Sequence, residues 1–414
     1  MTQEQLFSAA LMVQEPWFVN AVSFDSLKGR LDIDIDFRKG GLFRYESQTE
    51  QIAGDFKAYD VVDKTWRHLN FFQYECLLHA KVPRVDIGNG KVRLVSPPWE
   101  GKVPGFTLLM EALILELASQ MPVHRIGLAL GVTDGRIWRL LHRYVEEAVE
   151  NQKLDGLTQF GVDETAVLRG HSYISMIVDL TQRKTVHIAD GKGSNVLESF
   201  AIELVRRGGL VANITTVSQD MSPAFKAGVE KSFPTAKIVY DRFHVMKMIG
   251  EALDTVRKGE VKANPILKES RFALLKNEAN LTVKQKAKLE EIKMKDVELK
   301  TARAWRMKVR FQELYTLPNL AAFEAGLKEW LNWVRRSQIE AMKEVAKTIK
   351  RHMEGILNWM TFKVSNGILE GLNSKFQAAK AKARGYRTLK TIKTVIYLLS
   401  GKLDFRSLNR FLPT

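Results

Sequence analysis

The chain has 414 residues, with 63 Lys and Arg side chains against 47 Asp and Glu and a net charge of +16. A hydrophobic content of 45% and a charged content of 27% are ordinary for a folded protein and exclude wholesale disorder. The one cysteine, Cys76, excludes an intrachain disulfide framework. Neither a secretory signal nor an apolar run long enough to span a membrane is evident, so we expect a soluble intracellular protein.

The positive charge is concentrated in the second half of the chain. Residues 1–150 have a net charge of −3, whereas residues 245–350 carry +9 and residues 365–414 carry +8. This distribution favours a polyanionic partner, above all nucleic acid, because each neutralised phosphate releases counterions. A basic enzyme with solvated lysines is the alternative, and charge alone does not separate the two.

The first hundred residues have the pattern of short strands. The segment LDIDIDF, from Leu31 to Phe37, alternates strictly between apolar and acidic residues, which is typical of a half-buried strand. Two further strands are predicted at FRYESQ and VDIGNGKVRLV, and Asn89-Gly90 in the second is the signal of a tight hairpin. Pro97, Pro98 and Pro104 mark a boundary before a helical region.

A helix-turn-helix is predicted after this boundary. One helix starts at Phe106 and a second at Pro122; Gly131 ends the second, and Thr133-Asp134 starts a third. The third helix has a buried stripe formed by Ile137, Leu140, Leu141 and Tyr144. Its other face carries the candidate DNA-binding residues Arg136, Arg139 and Arg143. An ordinary helical hairpin with solvated arginines has the same pattern.

Beyond residue 157, strands and helices alternate. TQFGVDET, HSYISMIVDL and TVHIAD predict three consecutive strands, followed by a helix capped by Ser194, a strand ending at Asp220, a helix capped by Ser222, and a fifth strand, AKIVYD. A three-strand meander followed by α/β units is the order of a ribonuclease-H-like core. From Phe243 to about Lys350 the pattern is almost wholly helical, and this segment interrupts the α/β region.

Three acids are the candidates for chemistry. Asp163 lies in the first strand of this region, Asp220 closes the fourth, and Glu370 lies on a later helix. Carboxyl ends of neighbouring strands gather reactive groups, and carboxylates are ligands for Mg²⁺. We predict that Ser365 caps the Glu370 helix and that its buried stripe comprises Ile368, Leu372, Phe376, Ala379 and Ala383. Each acid, taken singly, also fits a cap, a turn or a solvated helix position.

Four segments together carry a family resemblance: GVDE at Gly161, Asp220 with SPAF after it, VYDRFHVMK at Val239, and SNGILEGLNSKFQAAKAKARGYR at Ser365. They resemble bacterial insertion-sequence transposases of the DDE class, specifically the ISL3 group. The resemblance implies a zinc-ribbon-like β domain (residues 1–103), a helix-turn-helix (104–152) and a ribonuclease-H-like α/β domain (153–244 and 351–414) split by a helical insertion (245–350). The fold class is therefore α+β multidomain.

The resemblance also implies the site. Asp163, Asp220 and Glu370 would form a triad holding two Mg²⁺ ions, with Mn²⁺ as an alternative. Active-site support would come from Asp241, His244, Asn366 and Asn373, although a structural, helix-capping His244 is as good an interpretation. Contacts to double-stranded DNA would involve Lys375, Lys380, Lys382, Arg384 and Arg387, for which a solvated basic helix is the alternative. We expect a homodimer or higher oligomer on DNA, in the bacterial cytoplasm at the nucleoid, with no membrane partner.

The amino-terminal domain departs from the group's pattern. Relatives place cysteine pairs near Tyr45–Gln48 and Asp86–Gly90, where this chain has none. A structural zinc site needs four ligands, so we expect no structural zinc and a β fold held by Trp66, Phe71, Phe72 and their neighbours. Two rivals to a DNA-joining transposase stay open: a ribonuclease-H-like nuclease that cuts without joining, and a non-catalytic DNA-binding protein derived from a transposase.

Overall fold

The computed structural model describes residues 2–88, 90–168, 172–294, 299–364 and 367–412. The chain forms two compact units. One comprises Met1–Glu150 with Gln377–Leu399 and Leu403–Thr414, and the other comprises Asn151–Phe376 with Ser400–Lys402. Each is described by itself below. No helix in the described ranges is long and apolar enough to cross a membrane.

The first unit begins with a short helix and a six-stranded sheet. The elements are α1 (Gln3–Ala10), β1 (Trp17–Asp25), β2 (Arg30–Phe37), β3 (Leu42–Ser47), β4 (Ile52–Arg67), β5 (Glu75–Asp86) and β6 (Val92–Leu94). The strand order is β1-β2-β5-β4-β3, with β6 added to β5, and only the β2–β5 pair is parallel. In β2, Leu31, Ile33 and Ile35 are buried, so the predicted alternation is confirmed.

The core of this sheet is rich in tryptophan. Trp17 and Trp66 pack edge-on against Trp99, with ring centroids 5.1 and 5.8 Å away. Trp66 is buried as predicted. Phe71 is 37% exposed and contacts the core only at its edge, with its ring 5.4 Å from that of Phe7. Phe72 is 81% exposed and does not support the core, because it lies in the turn before β5. Asn89 of the predicted hairpin lies outside the described residues; β5 and β6 on either side of it pair antiparallel.

Three helices follow, at the positions predicted for the helix-turn-helix: α2 (Leu108–Gln120), α3 (Val123–Leu130) and α4 (Asp134–Asn151). Gly131 ends α3 in the left-handed conformation, and Ile137, Leu140, Leu141 and Tyr144 are fully buried, as predicted. At Gly127, a Cβ would lie 2.7 Å from the carbonyl oxygen of Val132. Glycine therefore allows α3 to pass close to the turn that leads into α4.

The second unit contains a five-stranded sheet. Its strands are β7 (Gln159–Leu168), β8 (Ser172–Asp179), β9 (Lys184–Asp190), β10 (Thr216–Gln219) and β11 (Lys237–Tyr240), and its helices α5 (Asn195–Arg206) and α6 (Pro223–Ser232) cover one face. The order is β11-β10-β7-β8-β9; β7, β8 and β9 are antiparallel, whereas β10 and β11 run parallel to β7. Ser194 and Ser222 are the N-cap residues of α5 and α6, as predicted, although neither makes a side-chain cap hydrogen bond.

Helices form most of the remaining described chain, as predicted for the segment from Phe243 to about Lys350. The helices are α7 (Arg242–Glu260), α8 (Arg271–Leu275), α9 (Val283–Lys293), α10 (Lys300–Leu314), α11 (Leu320–Arg336), α12 (Glu340–Arg351), α13 (Met353–Phe362), α14 (Gly367–Lys382) and α15 (Leu389–Ser400). Helices α7 to α13 share one apolar core. Trp330 lies at its centre, and its indole N–H donates to the carbonyl of Met307 at 2.8 Å.

Candidate active site

Three aspartates lie at one level of the α/β sheet. Ser218 of β10 pairs with Gly161 of β7, and Gln219 pairs with Tyr240 of β11. Continuing these registers brings Asp220 level with Asp163 on one side and with Asp241 on the other. The Asp241 N–H donates to the Gln219 carbonyl at 3.2 Å, which extends the ladder by one residue. Parallel strands therefore bring these acids to the same edge, although they are 57 and 21 residues apart in sequence.

Alternation along β7 decides which face Asp163 occupies. Phe160 and Val162 are fully buried in the core formed with α5 and α6. Gly161 and Asp163 consequently point to the opposite face. There, a Cβ at Gly161 would lie only 2.5 Å from Cδ1 of Leu369, so α14 packs directly on β7. Glu370 follows Leu369 in the chain and enters the site from this helix.

Glu370 has a carboxylate oxygen without a hydrogen-bond partner. In the described residues its Oε1 is buried and unpaired. Burial raises the pKa of Glu370, as does the nearby negative charge of Asp241, whereas His244 and Lys247 act in the opposite direction. A desolvated, unsatisfied carboxylate is costly unless a cation or donor completes it.

Asp163 is also desolvated. Its Oδ1 accepts the N–H of Glu164 at 2.9 Å. Burial raises the pKa of Asp163 to about 6, and the negative charges of Asp220 and Glu164 contribute, against an opposing effect of His244. The Oδ1 of Asp220 accepts the N–H of Ser222 at 2.9 Å, which fixes that carboxylate before α6. The two carboxylates are thus close enough to repel each other.

His244 lies among these acids. Its Nδ1 is 3.3 Å from Oδ2 of Asp241, an ion-pair contact that lacks the alignment of a hydrogen bond. Asp241 raises the pKa of His244, and Asp163 and Asp220 add to this against the effect of burial. Asp241 itself is buried and caps α7, because its Oδ2 accepts the N–H of Phe243 at 3.2 Å. The imidazole of His244 therefore faces carboxylates from three neighbouring strands or strand ends.

The acids do not converge completely. Within the described residues, no group of three His, Cys, Asp or Glu side chains has the spacing of metal ligands. Asp163 and Asp220 interact with each other, whereas Glu370 interacts with Asp241 and His244. All five nevertheless belong to the same compact unit.

The predicted buried stripe of α14 is only partly confirmed. Leu372 and Phe376 are buried as predicted, and Leu369 is buried in addition. The predicted Ile368, Ala379 and Ala383 are only half-buried, and Ala383 lies beyond the end of the helix. The packing of Leu369 on β7 turns the helix in this way. The predicted cap Ser365 and the support residue Asn366 lie outside the described residues, and Asn373 is half-buried one turn beyond Glu370.

A cleft of about 1020 Å³ adjoins the acids. Asp241 and Glu370 line it together with cations from the helical region. Those cations are Arg242, Lys247, Lys258, Arg271, Lys276 and Lys308. The sequence does not identify these cations individually, because they come from separate helices. Only the lysine-rich composition of the segment indicates them.

The predicted DNA-binding residues have different surroundings. Arg136 is half-buried: its guanidinium carbon lies 4.0 Å from the centre of the Phe106 ring, and it donates to the Gly105 carbonyl at 3.0 Å. Arg139 and Arg143 are exposed on the same helix. Of the basic residues after Glu370, Lys375 is exposed in the second unit. The others, in the first unit, are half-buried Lys380 and exposed Lys382, Arg384 and Arg387.

Comparison with known proteins agrees with these features. Residues 160–396 match a family of transposases, the DDE transposases of the ISL3 type, and residues 98–145 match the helix-turn-helix domain of transposase family ISL3. The transposase for insertion sequence element IS1001 of Bordetella parapertussis is 26% identical over 330 residues, covering 78% of this chain and 80% of that protein. The transposase for IS1557 of Mycobacterium tuberculosis is 27% identical over 361 residues, covering 78% and 79%.

The family match spans more than half of the chain and includes Asp163, Asp220 and Glu370, while the second match covers α2 to α4 almost completely. The chain therefore belongs to the ISL3 family of insertion-sequence transposases, with a DNA-binding helix-turn-helix and a DDE catalytic domain.

Proposed function

We propose that this transposase binds the terminal inverted repeats of its element, cleaves DNA to free a 3′-hydroxyl, and joins that end to target DNA. The observation that carries the proposal is the packing of α14 on β7. Leu369 against Gly161 brings the carboxylate of Glu370, with its unpaired Oε1, to the sheet face from which Asp163 projects. Three acids that are far apart in sequence thereby share one compact unit.

The proposed catalytic fold is ribonuclease-H-like. The support is the sheet order β11-β10-β7-β8-β9, with an antiparallel meander followed by two parallel strands. In this proposal residues 153–244 and 351–414 are the two parts of the catalytic domain, and residues 245–350 are an insertion. Residues 1–103 are a ribbon-like β domain without zinc, and residues 104–152 are the helix-turn-helix domain.

The donor set suits a hard divalent cation. DDE transposases generally use divalent metal, and carboxylate oxygens are the ligands that Mg²⁺ and Mn²⁺ prefer. An unpaired buried oxygen on Glu370 and the desolvated carboxylate of Asp163 are groups that a cation would satisfy. In our proposal Asp163, Asp220 and Glu370 hold Mg²⁺. Two such ions supply activation of a water or 3′-hydroxyl and stabilisation of the leaving oxygen at phosphorus.

The chain's own residues bind and orient the DNA. His244, whose pKa the surrounding acids raise, is proposed to hold Asp241 and to orient a phosphate near the site, with Asn366 and Asn373 in support. Arg139 and Arg143 would contact DNA through the exposed face of α4, while Arg136 fixes that helix against Phe106. Lys375, Lys380, Lys382, Arg384 and Arg387 would contact the DNA backbone. Because an element has two ends, we propose that two or more protomers act together, at the nucleoid.

The proposal is tested with purified protein, Mg²⁺ and duplexes carrying the element's own ends. Asp163→Asn, Asp220→Asn and Glu370→Gln should each retain end binding and lose cleavage. Asp190→Asn, on the edge strand β9, is the matched control and should cleave normally. Cleavage that survives Asp163→Asn removes that residue from the mechanism.

A pre-cut end with a free 3′-hydroxyl then separates joining from cutting. Strand transfer into a second duplex is expected. Hydrolysis without joining would identify a nuclease, and end binding without either reaction would identify a non-catalytic DNA-binding protein.

A further inference from the structure

A second cleft lies on the other side of α14 from Glu370. Gly371, Leu372 and Lys375 of α14 line it, together with Gln159 and Leu180 at the start of β7 and the end of β8, and its volume is about 780 Å³. Its remaining lining includes Arg183, Lys363 and Lys402. We call the site formed by Arg183, Lys363, Lys375 and Lys402 the basic cleft.

The charged side chains that line the basic cleft in the described residues are all positive. Four cations line it, and no carboxylate does so in the described part of the chain. All four side chains are exposed, and none is in an ion pair with an acid among the described residues. By contrast, the cleft beside Asp241 and Glu370 contains acids among its cations. Four like charges converging on one concavity repel one another, so the arrangement favours an anionic occupant.

The backbone at three of these positions is unusual. Arg183, Lys363 and Lys402 have φ angles of 54°, 53° and 46°, in the left-handed region that glycine and asparagine occupy most easily. Each lies at a turn or helix end, where a glycine would meet the conformational need. The chain instead has a long cation at all three positions. Strained residues concentrate at functional sites, and here they coincide with one cleft.

Buried contacts anchor the backbone segment that carries Lys402. The hydroxyls of Ser400 and Thr185 are 2.7 Å apart and buried, and Gln152 donates to the Gly401 carbonyl at 3.0 Å. These contacts attach residues 400–402 to the sheet. Lys402 then donates to the carbonyl of Gln182 at 2.6 Å, which brings it beside Arg183. Lys363 lies with its ammonium 5.4 Å from the centre of the Trp359 ring.

We propose that the basic cleft binds the phosphodiester backbone of duplex DNA without reading its bases, and so holds DNA outside the recognised terminal repeat. This inference rests on the proposed function and adds a second contact surface to it. Flexible cations reach phosphates and carry little sequence information. Among the described lining residues, Gln159 is the one whose side-chain amide could read a base edge.

The test is a triple variant, Arg183→Asn, Lys363→Asn, Lys402→Asn. Asparagine tolerates the left-handed backbone, so the melting temperature should stay equal or rise, while affinity for a labelled duplex of random sequence should fall. The slope of log K against log salt should decrease by about 0.9 for each phosphate that the variant no longer neutralises. A purely structural role predicts a lower melting temperature and an unchanged slope, which would overturn the proposal.

Two further variants serve as controls for this binding measurement. The charge-preserving variant Arg183→Lys, Lys363→Arg, Lys402→Arg should bind as the parent does. Lys375→Gln changes a cation on a regular helical backbone and should lower the salt slope without a fold effect; an unchanged slope there also counts against the cleft.

DNA binding is measured in the Asp163→Asn background without divalent metal. The result then does not depend on whether the proposed catalytic function is correct. Equal loss of affinity on random and element-end duplexes is expected, because backbone contacts act uniformly across sequences. A loss confined to element ends would show base readout at the terminal repeat and overturn the assignment.

Discussion

The side chain of Leu369 occupies the space that a side chain on Gly161 would need. A Cβ at residue 161 would lie 2.5 Å from Cδ1 of Leu369 and 3.2 Å from Cδ2 of Leu180. Glycine at this point of β7 therefore sets the distance between the sheet and α14. Because Asp163 follows two residues later on the same face, and Glu370 follows Leu369, the contact also sets the separation of two proposed metal ligands.

Gly161→Ala should therefore damage both stability and chemistry. Overpacking a buried contact of this kind costs about 1–3 kcal/mol in the free energy of unfolding. Displacement of α14 should reduce DNA cleavage more than end binding. Urea unfolding and a cleavage assay measure the two effects.

Gly259→Ala in α7 is the control, since Gly259 is exposed and a Cβ there meets nothing within 4 Å. It should leave cleavage intact and stabilise the helix by up to about 1 kcal/mol. Equal effects of the two substitutions would show that the Gly161 contact does not position α14.

Asp163→Asn should stabilise the metal-free protein at neutral pH. The pKa of this carboxyl is raised by burial to about 6, whereas the unfolded chain ionises near the ordinary value of 3.8. Between these values the unfolded state binds fewer protons, so the wild-type protein loses stability as pH rises through this window. The variant avoids that loss, and its free energy of unfolding should exceed that of the wild type by about 3 kcal/mol at pH 7, with little difference near pH 4.

Unfolding curves at the two pH values test this prediction. Adding Mg²⁺ should raise the melting temperature of the wild type, which keeps the carboxylate, more than that of Asp163→Asn. Asp190→Asn serves as the comparison and should match the wild type both in its stability at neutral pH and in its response to Mg²⁺. A variant that is less stable than the wild type at neutral pH would contradict the raised pKa.

Local patterns predicted much of the fold. Strict alternation identified the strand from Leu31 to Phe37, and the order of strands and helices after residue 157 gave the elements of the α/β sheet. These features depend on neighbours two to four residues away, which the sequence displays directly. Phe72 was misassigned to the core because an aromatic residue in a turn has no periodic context that reveals its exposure.

The relationships between distant segments were not accessible in the same way. The guanidinium of Arg136 stacks on the Phe106 ring, so this side chain is only partly available for the DNA contact that the helical pattern predicts. The contact of Leu369 with Gly161 shifts the buried stripe of α14, and the basic cleft joins residues 183, 363, 375 and 402. The candidate acids could be predicted because they lie in or at the ends of strands. The position of His244 among them could not be predicted, because it depends on the register of three strands.

Glu111 is a buried structural acid in the otherwise apolar helix α2. Its contacts give a prediction for the helix-turn-helix region. Glu111 is fully buried, and its carboxylate accepts the N–H groups of Lys102 and Val103 at 2.9 and 2.7 Å and the Tyr144 hydroxyl at 2.7 Å. Glu111→Ala leaves these donors unsatisfied and should cost roughly 3 kcal/mol, whereas Tyr144→Phe should cost about 1 kcal/mol. Exposed Glu116 on the same helix is the control, and Glu116→Ala should change stability by less than about 0.5 kcal/mol. Chemical denaturation of the full chain measures all three.

The arginines of α4 should separate into a structural and a DNA-contacting class. Arg136→Ala removes the stacking on Phe106 and the hydrogen bond to Gly105, so it should lower the melting temperature. Arg139→Ala and Arg143→Ala change exposed side chains and should leave the melting temperature unchanged while weakening binding to element-end DNA. Removing a bidentate base contact costs about 1–3 kcal/mol, and removing a phosphate contact instead lowers the salt slope by about one unit. Electrophoretic mobility shifts on end and scrambled duplexes distinguish these outcomes, and undiminished binding by the double variant Arg139→Ala, Arg143→Ala would exclude this face of α4 from DNA recognition.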